Sequence, residues 1–213
     1  DDPVNVLGNR RRVFQAVGRP VESLFDVWQV HGTEVVYANA PRPLTVPHHK
    51  ADAILTDNPE VTLLMRFADC VPLLYYDPIH RVVGLGHAGW QGTVKMVAKA
   101  VVKAMQGVYG SRPEDILVAI GPSIAVHHYE VGSQVIQEVE AAFGSDAAGL
   151  LQTQDGAVKF DLWSANRLVL ENAGVQHIEM AGLCTACHIR DWFSHRGEKG
   201  LTGRFGVLIG LRE

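Results

Sequence analysis

Cys70 and His87 lie at the two ends of a stretch whose sequence predicts a β-hairpin, and a thiol beside an imidazole can bind a metal ion or transfer a proton. Two apolar, β-prone runs, 71–76 and 81–85, flank the turn signal Asp77-Pro78-Ile79-His80. If the chain reverses about Pro78-Ile79, Cys70 is directly opposite His87, and opposed Cβ atoms lie about 4.5–5.5 Å apart. Each residue alone is more typical of core packing, but their mirrored positions favour a shared site.

His31 is the natural third member of this site. It ends an apolar run and precedes Gly32, at a position where side chains often face a ligand. Two histidines and one cysteine leave the fourth tetrahedral position of zinc free, which is the arrangement of a catalytic site that activates water. The same donors suit a single copper ion. Spacing alone leaves His31 as one choice among ten histidines.

An anion could bind beside this centre. His87 precedes the glycine-rich sequence Ala88-Gly89-Trp90-Gln91-Gly92-Thr93, which opens a helix, and backbone N–H groups at a helix start bind anions such as phosphate. Arg196 and Arg204 lie in a second glycine-rich segment, where a guanidinium group can bind phosphate or carboxylate through two hydrogen bonds. A solvated surface position is the alternative for both arginines.

Three other groups could contribute chemistry. Asp69 is a candidate acid/base residue, provided that the strand is interrupted before Cys70; otherwise it caps the local backbone. Cys184 and Cys187 form a single CxxC pair, for which packing and loop shaping are favoured over redox or metal chemistry. His127-His128 could belong to the surface or to a site.

The length, composition and net charge of the chain exclude several classes of protein. With 213 residues, a net charge of −4 and a pI near 6.2, the chain is an ordinary globular domain without a surface for nucleic acid or anionic membranes. No apolar run approaches the roughly 18 residues that cross a bilayer. Three cysteines indicate a reduced protein rather than a disulfide scaffold. We therefore expect one cytoplasmic domain over residues 1–213 that acts as a monomer.

Strands alternate with helices along the chain, which predicts an α/β fold whose hairpins make the sheets mixed. Strands are expected at 24–30, 34–38 (as a partner of 24–30), 51–56, 61–67, 71–76, 81–85, 116–120, 177–183 and 205–211. Helices are expected at 9–17, 92–107, 131–143 and 162–172, the last of them capped by Asp161.

The ordered motifs of the chain resemble those of the bacterial laccase-domain family, also described as multicopper polyphenol oxidoreductase-like or peptidoglycan-editing-factor-like. The matching pieces span the whole chain: Asp2-Pro3, Asn9-Arg10-Arg11, Gln29-Val30-His31-Gly32-Thr33, Ala51-Asp52-Ala53, Ala68-Asp69-Cys70-Val71-Pro72, Gly86-His87-Ala88-Gly89-Trp90, Gly121-Pro122-Ser123-Ile124, Cys184-Thr185, Ser194-His195-Arg196 and Thr202-Gly203-Arg204.

The resemblance implies a layered α/β/β/α sandwich and a zinc ion held by His31, Cys70 and His87. It also implies activity on purine nucleosides: phosphorolysis of adenosine, inosine, guanosine or methylthioadenosine, and deamination of adenosine. The substrates would then be a small nucleoside and phosphate. Copper-dependent oxidation of phenols is one alternative. A hydrolase that uses Cys70 and His87 on a peptidoglycan precursor is another.

Two departures from the family pattern stand out. The family usually has an arginine after the tryptophan of the Gly-His-Ala-Gly-Trp motif, whereas this chain has Gln91, which cannot supply a positive charge. The family also has a Ser-Leu-Asn stretch and an arginine upstream of the position of Asp1. We therefore expect that the extreme N-terminus of the domain precedes this sequence.

Overall fold

The computed structural model describes residues 2–154 and 156–212. The helices are α1 (Pro3–Ala16), α2 (Trp90–Val94), α3 (Val97–Tyr109), α4 (Ser133–Phe143), α5 (Ala147–Leu150) and α6 (Leu162–Asn172). The strands are β1 (Leu24–Asp26), β2 (Val35–Tyr37), β3 (Ala53–Thr56), β4 (Thr62–Phe67), β5 (Val71–Asp77), β6 (Val82–Ala88), β7 (Leu117–Ile120), β8 (Leu151–Gln154), β9 (Ala157–Phe160), β10 (His177–Met180) and β11 (Phe205–Gly210).

The two main sheets are both mixed, as expected from the hairpins in the sequence. A six-stranded sheet has the order β10-β7-β5-β6-β3-β2, and a three-stranded sheet has the order β1-β4-β11. Strands β5 and β6 pair antiparallel, whereas β2 pairs parallel with β3, and β10 with β7. Strands β8 and β9 form a separate hairpin that was absent from the sequence prediction.

The two sheets pack face to face between helices, which gives the predicted α/β/β/α order of layers. Side chains of β4 alternate: Leu63 and Met65 pack in the core between the sheets, while Leu64 packs with Phe14 of α1. The other face of the six-stranded sheet presents Leu73 to the core that contains Val101 of α3, and α6 contributes to the same core. The predicted α/β fold with mixed sheets is confirmed.

The predicted hairpin exists, but its register differs from the prediction. Asp77 pairs with Val82, so the loop contains four residues, and Pro72 rather than Cys70 is opposite His87. The Asp77 carboxylate accepts hydrogen bonds from the N–H groups of the loop at 2.8 and 3.1 Å, which stabilises the longer loop. Cys70 precedes the strand and lies diagonal to His87, so the prediction that the two are directly opposed was wrong.

The predicted pairing of 24–30 with 34–38 was also wrong. Strand β1 ends at Asp26 and joins β4, whereas β2 joins β3 in the other sheet. The chain changes sheets through a turn in which His31 has a φ of 58°, a left-handed conformation that non-glycine residues rarely adopt. Local sequence preference does not reveal this crossing because long-range contacts hold the turn.

The helix predicted over 92–107 is two helices. Met96, with a φ of 64°, separates α2 from α3. Both helices contact β6 and α6; in addition, α2 packs on α4, whereas α3 packs on β2 and β3. The helix over 162–172 has the predicted bounds, and Asp161 accepts a hydrogen bond from the Ser164 N–H at 3.0 Å. In residues 2–154 and 156–212, no helix is long and apolar enough to cross a membrane.

Candidate metal centre and adjoining cleft

His31, Cys70 and His87 come together although they lie in three separate segments. His87 is near the end of β6, Cys70 immediately precedes β5, and His31 lies in the turn after β1. The ligand atoms of the three side chains lie within 4.8 Å of one another, with 3.9 Å between Cys70 Sγ and His31 Nε2. The structure thus brings together the three residues expected to hold a metal ion.

Asp52 orients both histidines of this centre. Its buried carboxylate accepts a hydrogen bond from His87 Nδ1 at 2.8 Å. It also accepts the backbone N–H groups of Val30, His31 and Gly32 at 3.1, 2.9 and 2.6 Å. A metal-binding histidine commonly donates its second ring N–H to a carboxylate in this way, which leaves the other nitrogen for the metal. In the sequence, Asp52 stands out only as part of the motif Ala51-Asp52-Ala53. An aspartate directly before a buried apolar strand is the signal that could have indicated its role.

The protonation of Cys70 and His87 is coupled in the protein without metal. Burial disfavours the Cys70 thiolate, but hydrogen bonds and positive charge from His31 and His87 outweigh burial and lower the pKa of Cys70 to about 6. Burial likewise disfavours the His87 imidazolium, but Asp52 and Cys70 raise the pKa of His87 to about 9. At neutral pH the pair is therefore a thiolate beside an imidazolium.

The residues present fit a metal ion of the size and preference of zinc or copper. Nitrogen and thiolate donors are those that both metals prefer. Gly89 leaves the space that the ligands need: a Cβ atom there would lie 2.9 Å from His31 Cδ2 and 3.0 Å from Cys70 Sγ. Glycine is thus required at position 89, because the side chains of His31 and Cys70 approach its backbone closely.

The three side chains open into a cleft of ≈ 920 Å³, which is large enough for a nucleoside. Aromatic side chains line it, among them Trp28, Trp90 and Tyr129. Trp28 is 57% exposed, which is unusual for a tryptophan and leaves its ring available to a ligand. The cleft therefore combines apolar ring surfaces with the polar centre formed by His31 and Cys70.

Arg66, Arg196 and Arg204 add positive charge to the cleft. Within the residues that the structure describes, none of the three forms an ion pair with a carboxylate. Arg196 lies over the ring of Tyr129, with its guanidinium carbon 5.2 Å from the ring centre, and Arg204 donates to the carbonyl of Gly203 at 2.7 Å. Arg66 was missed by sequence reasoning because it lies inside an apolar strand.

Asp69 lines the cleft, and its carboxylate is fully engaged. It accepts hydrogen bonds from the hydroxyl groups of Thr185 and Ser194, each at 2.7 Å, and from the backbone N–H of Arg196 at 2.6 Å. Its φ of 80° marks the interruption of the strand that the sequence argument required. These contacts favour a role in positioning the Arg196 segment. An acid/base role for Asp69 stays a prediction.

Gln91 also lines the cleft, on the short helix that follows the metal centre. The helix start expected to bind an anion belongs to α2, which has only five residues. A helix of this length aligns few peptide dipoles, so the arginines supply most of the positive charge.

This combination of an α/β/β/α sandwich and a His₂Cys centre in a cationic cleft defines the laccase-like class of domain. The family model described as "Multi-copper polyphenol oxidoreductase laccase" matches residues 1–212, and the chain belongs to that family. The purine nucleoside phosphorylase of Deinococcus radiodurans is 39% identical over 211 residues, covering 99% of this chain and 79% of the relative. Purine nucleoside phosphorylase YlmD of Bacillus subtilis is 41% identical over 221 residues, covering 100% of this chain and 80% of the relative.

Solved structures share the fold. The crystal structure of YlmD from Geobacillus stearothermophilus has a TM-score of 0.93 and 35% identity, covering 100% of this chain and 82% of that chain. The resemblance inferred from the ordered motifs is therefore confirmed, and these relatives carry names of enzymes that act on nucleosides.

Proposed function

We propose that the protein is a zinc-dependent enzyme that cleaves purine nucleosides with phosphate. The observation that carries this proposal is the His₂Cys centre at a cleft lined by three arginines, none of which forms an ion pair with a carboxylate in residues 2–154 and 156–212. The names of the relatives in Deinococcus radiodurans and Bacillus subtilis support the same reaction. Adenosine, inosine, guanosine and methylthioadenosine are the proposed substrates, and the enzyme is proposed to act as a cytoplasmic monomer.

The two substrates would occupy chemically different parts of the cleft. The purine ring is expected to stack on aromatic surface such as Trp28, while Arg66, Arg196 and Arg204 hold phosphate. Gln91 contributes hydrogen bonds but no charge, so phosphate binding depends on those arginines. Asp69 holds the backbone of Arg196 in place.

His31, Cys70 and His87 would hold the zinc ion, and Asp52, which accepts from His87 Nδ1, would leave Nε2 of that imidazole as the ligand atom. Zinc, when bound, supplies a fixed positive charge that polarises substrate oxygen or water. With water in place of phosphate, the same cleft is proposed to support deamination of adenosine, with Asp69 as the candidate acid/base residue.

The test is incubation of the purified zinc protein with adenosine or inosine, with and without phosphate. Phosphorolysis predicts the free base and ribose 1-phosphate only when phosphate is present, and deamination predicts inosine from adenosine in either case. His31→Ala should abolish both, whereas His188→Ala, an exposed histidine outside the cleft lining, should leave both unchanged. Absence of all these products from every nucleoside would overturn the proposal.

A second candidate function is a hydrolase in which Cys70 is the nucleophile and no metal is used, acting on a peptidoglycan precursor. The hydrogen bond from His87 to Asp52 at 2.8 Å favours this function. In nucleophilic catalysis, a histidine commonly lies between the cysteine that it activates and a carboxylate that orients its ring. Amide hydrolysis that persists in excess chelator would support this function.

Copper-dependent phenol oxidation, the activity in the family's description, predicts turnover of a phenol only after copper loading.

A further inference from the structure

Four residues outside the cleft lining form a second group of metal-binding side chains. The ligand atoms of His127, His128, Cys184 and Cys187 lie within 4.8 Å of one another. Sequence reasoning left His127-His128 unassigned and favoured packing for the CxxC pair. The structure brings these two pairs together from segments that are more than 50 residues apart in the chain.

The distances within this group match tetrahedral coordination. Cys187 Sγ lies 3.1 Å from His127 Nε2 and 3.6 Å from His128 Nδ1, and Cys184 Sγ lies 3.7 Å from His128 Nδ1. With Zn–S near 2.3 Å and Zn–N near 2.0–2.1 Å, tetrahedral geometry requires sulfur and nitrogen ligands about 3.5 Å apart. The three sulfur–nitrogen distances lie around this value, and all four ligand atoms lie within 4.8 Å of one another.

Backbone contacts hold the two segments in this arrangement. Cys184 forms an isolated parallel bridge with Ser123, and the Thr185 N–H donates to the Ser123 carbonyl at 3.1 Å. The Ala125 N–H donates to Cys184 Sγ at 3.3 Å, which helps to hold this sulfur in place. Cys184 is buried, whereas the other three ligands are exposed and accessible to a metal from solvent.

We propose that His127, His128, Cys184 and Cys187 form a structural zinc site, separate from the His31–Cys70–His87 centre. Four protein ligands complete the tetrahedron and leave no position for substrate, which is the property of structural rather than catalytic zinc. The site ties the turn at 126–128 to the segment that starts at Cys184. Both segments support the cleft, since Thr185 donates to Asp69 and Arg196 donates to the His128 carbonyl at 3.3 Å.

The first experiment counts zinc in the purified protein after removal of loosely bound metal, by elemental analysis against protein concentration. To isolate the second site, the reference protein is the double variant H31A/C70A, which lacks the first centre. We expect one zinc per chain in this reference and none after adding Cys187→Ser. Adding Cys187→His, which restores a ligand, should return the zinc, and adding His188→Ala, an exposed neighbour outside the group, should retain it.

A second measurement tests ligand identity directly. Cobalt(II) replaces zinc in such sites, and coordination by thiolates gives charge-transfer absorption that water or imidazole ligands do not give. In the H31A/C70A protein this absorption should saturate at one cobalt per chain and disappear with Cys187→Ser. If Cys187→Ser fails to fold, His127→Ala serves as the second variant, and it should reduce the zinc content in the same way.

The proposal is overturned if H31A/C70A holds no zinc, if its zinc survives Cys187→Ser, or if thiol counting finds a Cys184–Cys187 disulfide in protein purified under reducing conditions. Failure of nucleoside turnover would not affect these readouts, because no step of this experiment measures activity.

Discussion

At the scale of single residues, one buried carboxylate controls the geometry of the candidate metal centre. Asp52 accepts four hydrogen bonds, from His87 and from three consecutive backbone N–H groups around His31. The same carboxylate therefore fixes the ring of one ligand and the backbone of another. Buried carboxylates persist only when their hydrogen-bonding capacity is used in this way.

We predict that Asp52→Ala weakens zinc binding by His31, Cys70 and His87 roughly 10- to 100-fold. Without the carboxylate, the His87 ring is free to turn, and three backbone N–H groups of the turn at His31 lose their acceptor. Competition with a chelator measures the affinity. The matched control is Asp161→Ala, which removes a helix cap far along the chain. An unchanged zinc affinity in Asp52→Ala would refute this role.

A second prediction at this scale concerns Cys70 in metal-free protein. Because its pKa is about 6, its alkylation by iodoacetamide should already be near its maximal rate at pH 7 and should fall as the pH drops through 6. An ordinary thiol would reach that rate only above its pKa of about 8.5.

Bound zinc should protect Cys70 from this alkylation. Peptide mapping follows Cys70 separately from Cys184 and Cys187. Equal labelling of Cys70 with and without zinc would contradict ligation.

At the scale of secondary structure, the β5–β6 hairpin determines where His87 and Cys70 lie. Its four-residue loop depends on Asp77, which accepts the N–H groups of Ile79 and His80 and contacts the His80 ring at 2.8 Å. Burial would raise the pKa of Asp77, but the neighbouring Ser111 hydroxyl together with these donors holds it below its usual range. The ionised carboxylate thus contributes stability above the ordinary aspartate pKa, and that contribution is lost as the pH falls through the lower pKa of the folded state.

We therefore predict that Asp77→Ala lowers the free energy of unfolding by about 2 kcal/mol at pH 7. Asp77→Asn, which keeps one acceptor oxygen, should lose less. As the pH decreases below about 4, wild type should lose stability more steeply than Asp77→Asn, because only wild type gains a proton at this position. Urea unfolding at several pH values measures this. Parallel curves for the two proteins would show that Asp77 does not contribute through its charge.

The junction between β6 and α2 gives another prediction. In Gly89→Ala, the new Cβ atom would crowd His31 and Cys70, and misplacement of reacting groups by about 1 Å can cost about 100-fold in activity. Gly86→Ala is the control, since its Cβ atom would make ordinary contacts with Leu73 and Tyr75 at 3.5 Å. Zinc content and nucleoside turnover should fall in the first variant and persist in the second. Full zinc content in Gly89→Ala would contradict the crowding argument.

At the scale of the whole molecule, the charge of the cleft opposes the charge of the chain. The net charge is −4, yet Arg66, Arg196 and Arg204 converge from β4 and from the C-terminal segment on one cleft. A local positive field of this kind attracts an anionic substrate even when the protein as a whole is acidic. The layered packing, rather than any local motif, makes these three residues neighbours.

We predict that Arg196→Met raises the KM for phosphate about tenfold or more, as expected for loss of a hydrogen bond to a charged group. The KM for nucleoside and the zinc content should change little. Arg190→Met, an exposed arginine outside the cleft lining, is the matched control. Steady-state kinetics with phosphate varied at saturating inosine provide the measurement. A rise confined to the nucleoside KM would place phosphate elsewhere.

The sequence by itself determined the fold class, most strand positions, the helix over 162–172 and the membership of His31, Cys70 and His87 in one group. Periodicity, turn residues and helix caps are local properties, so they can be read from neighbouring positions. The ordered motifs supplied the third ligand, which spacing alone left open.

Only the tertiary structure decided the hairpin register, the break at Met96, the role of Asp52 and the meeting of His127-His128 with Cys184 and Cys187. Each depends on contacts between segments far apart in the chain, or on a left-handed backbone that such contacts hold in place. The residue type at one position does not indicate which distant group will form its hydrogen bond. Packing of the four layers selects that partner, because buried polar groups must find hydrogen bonds where the layers meet.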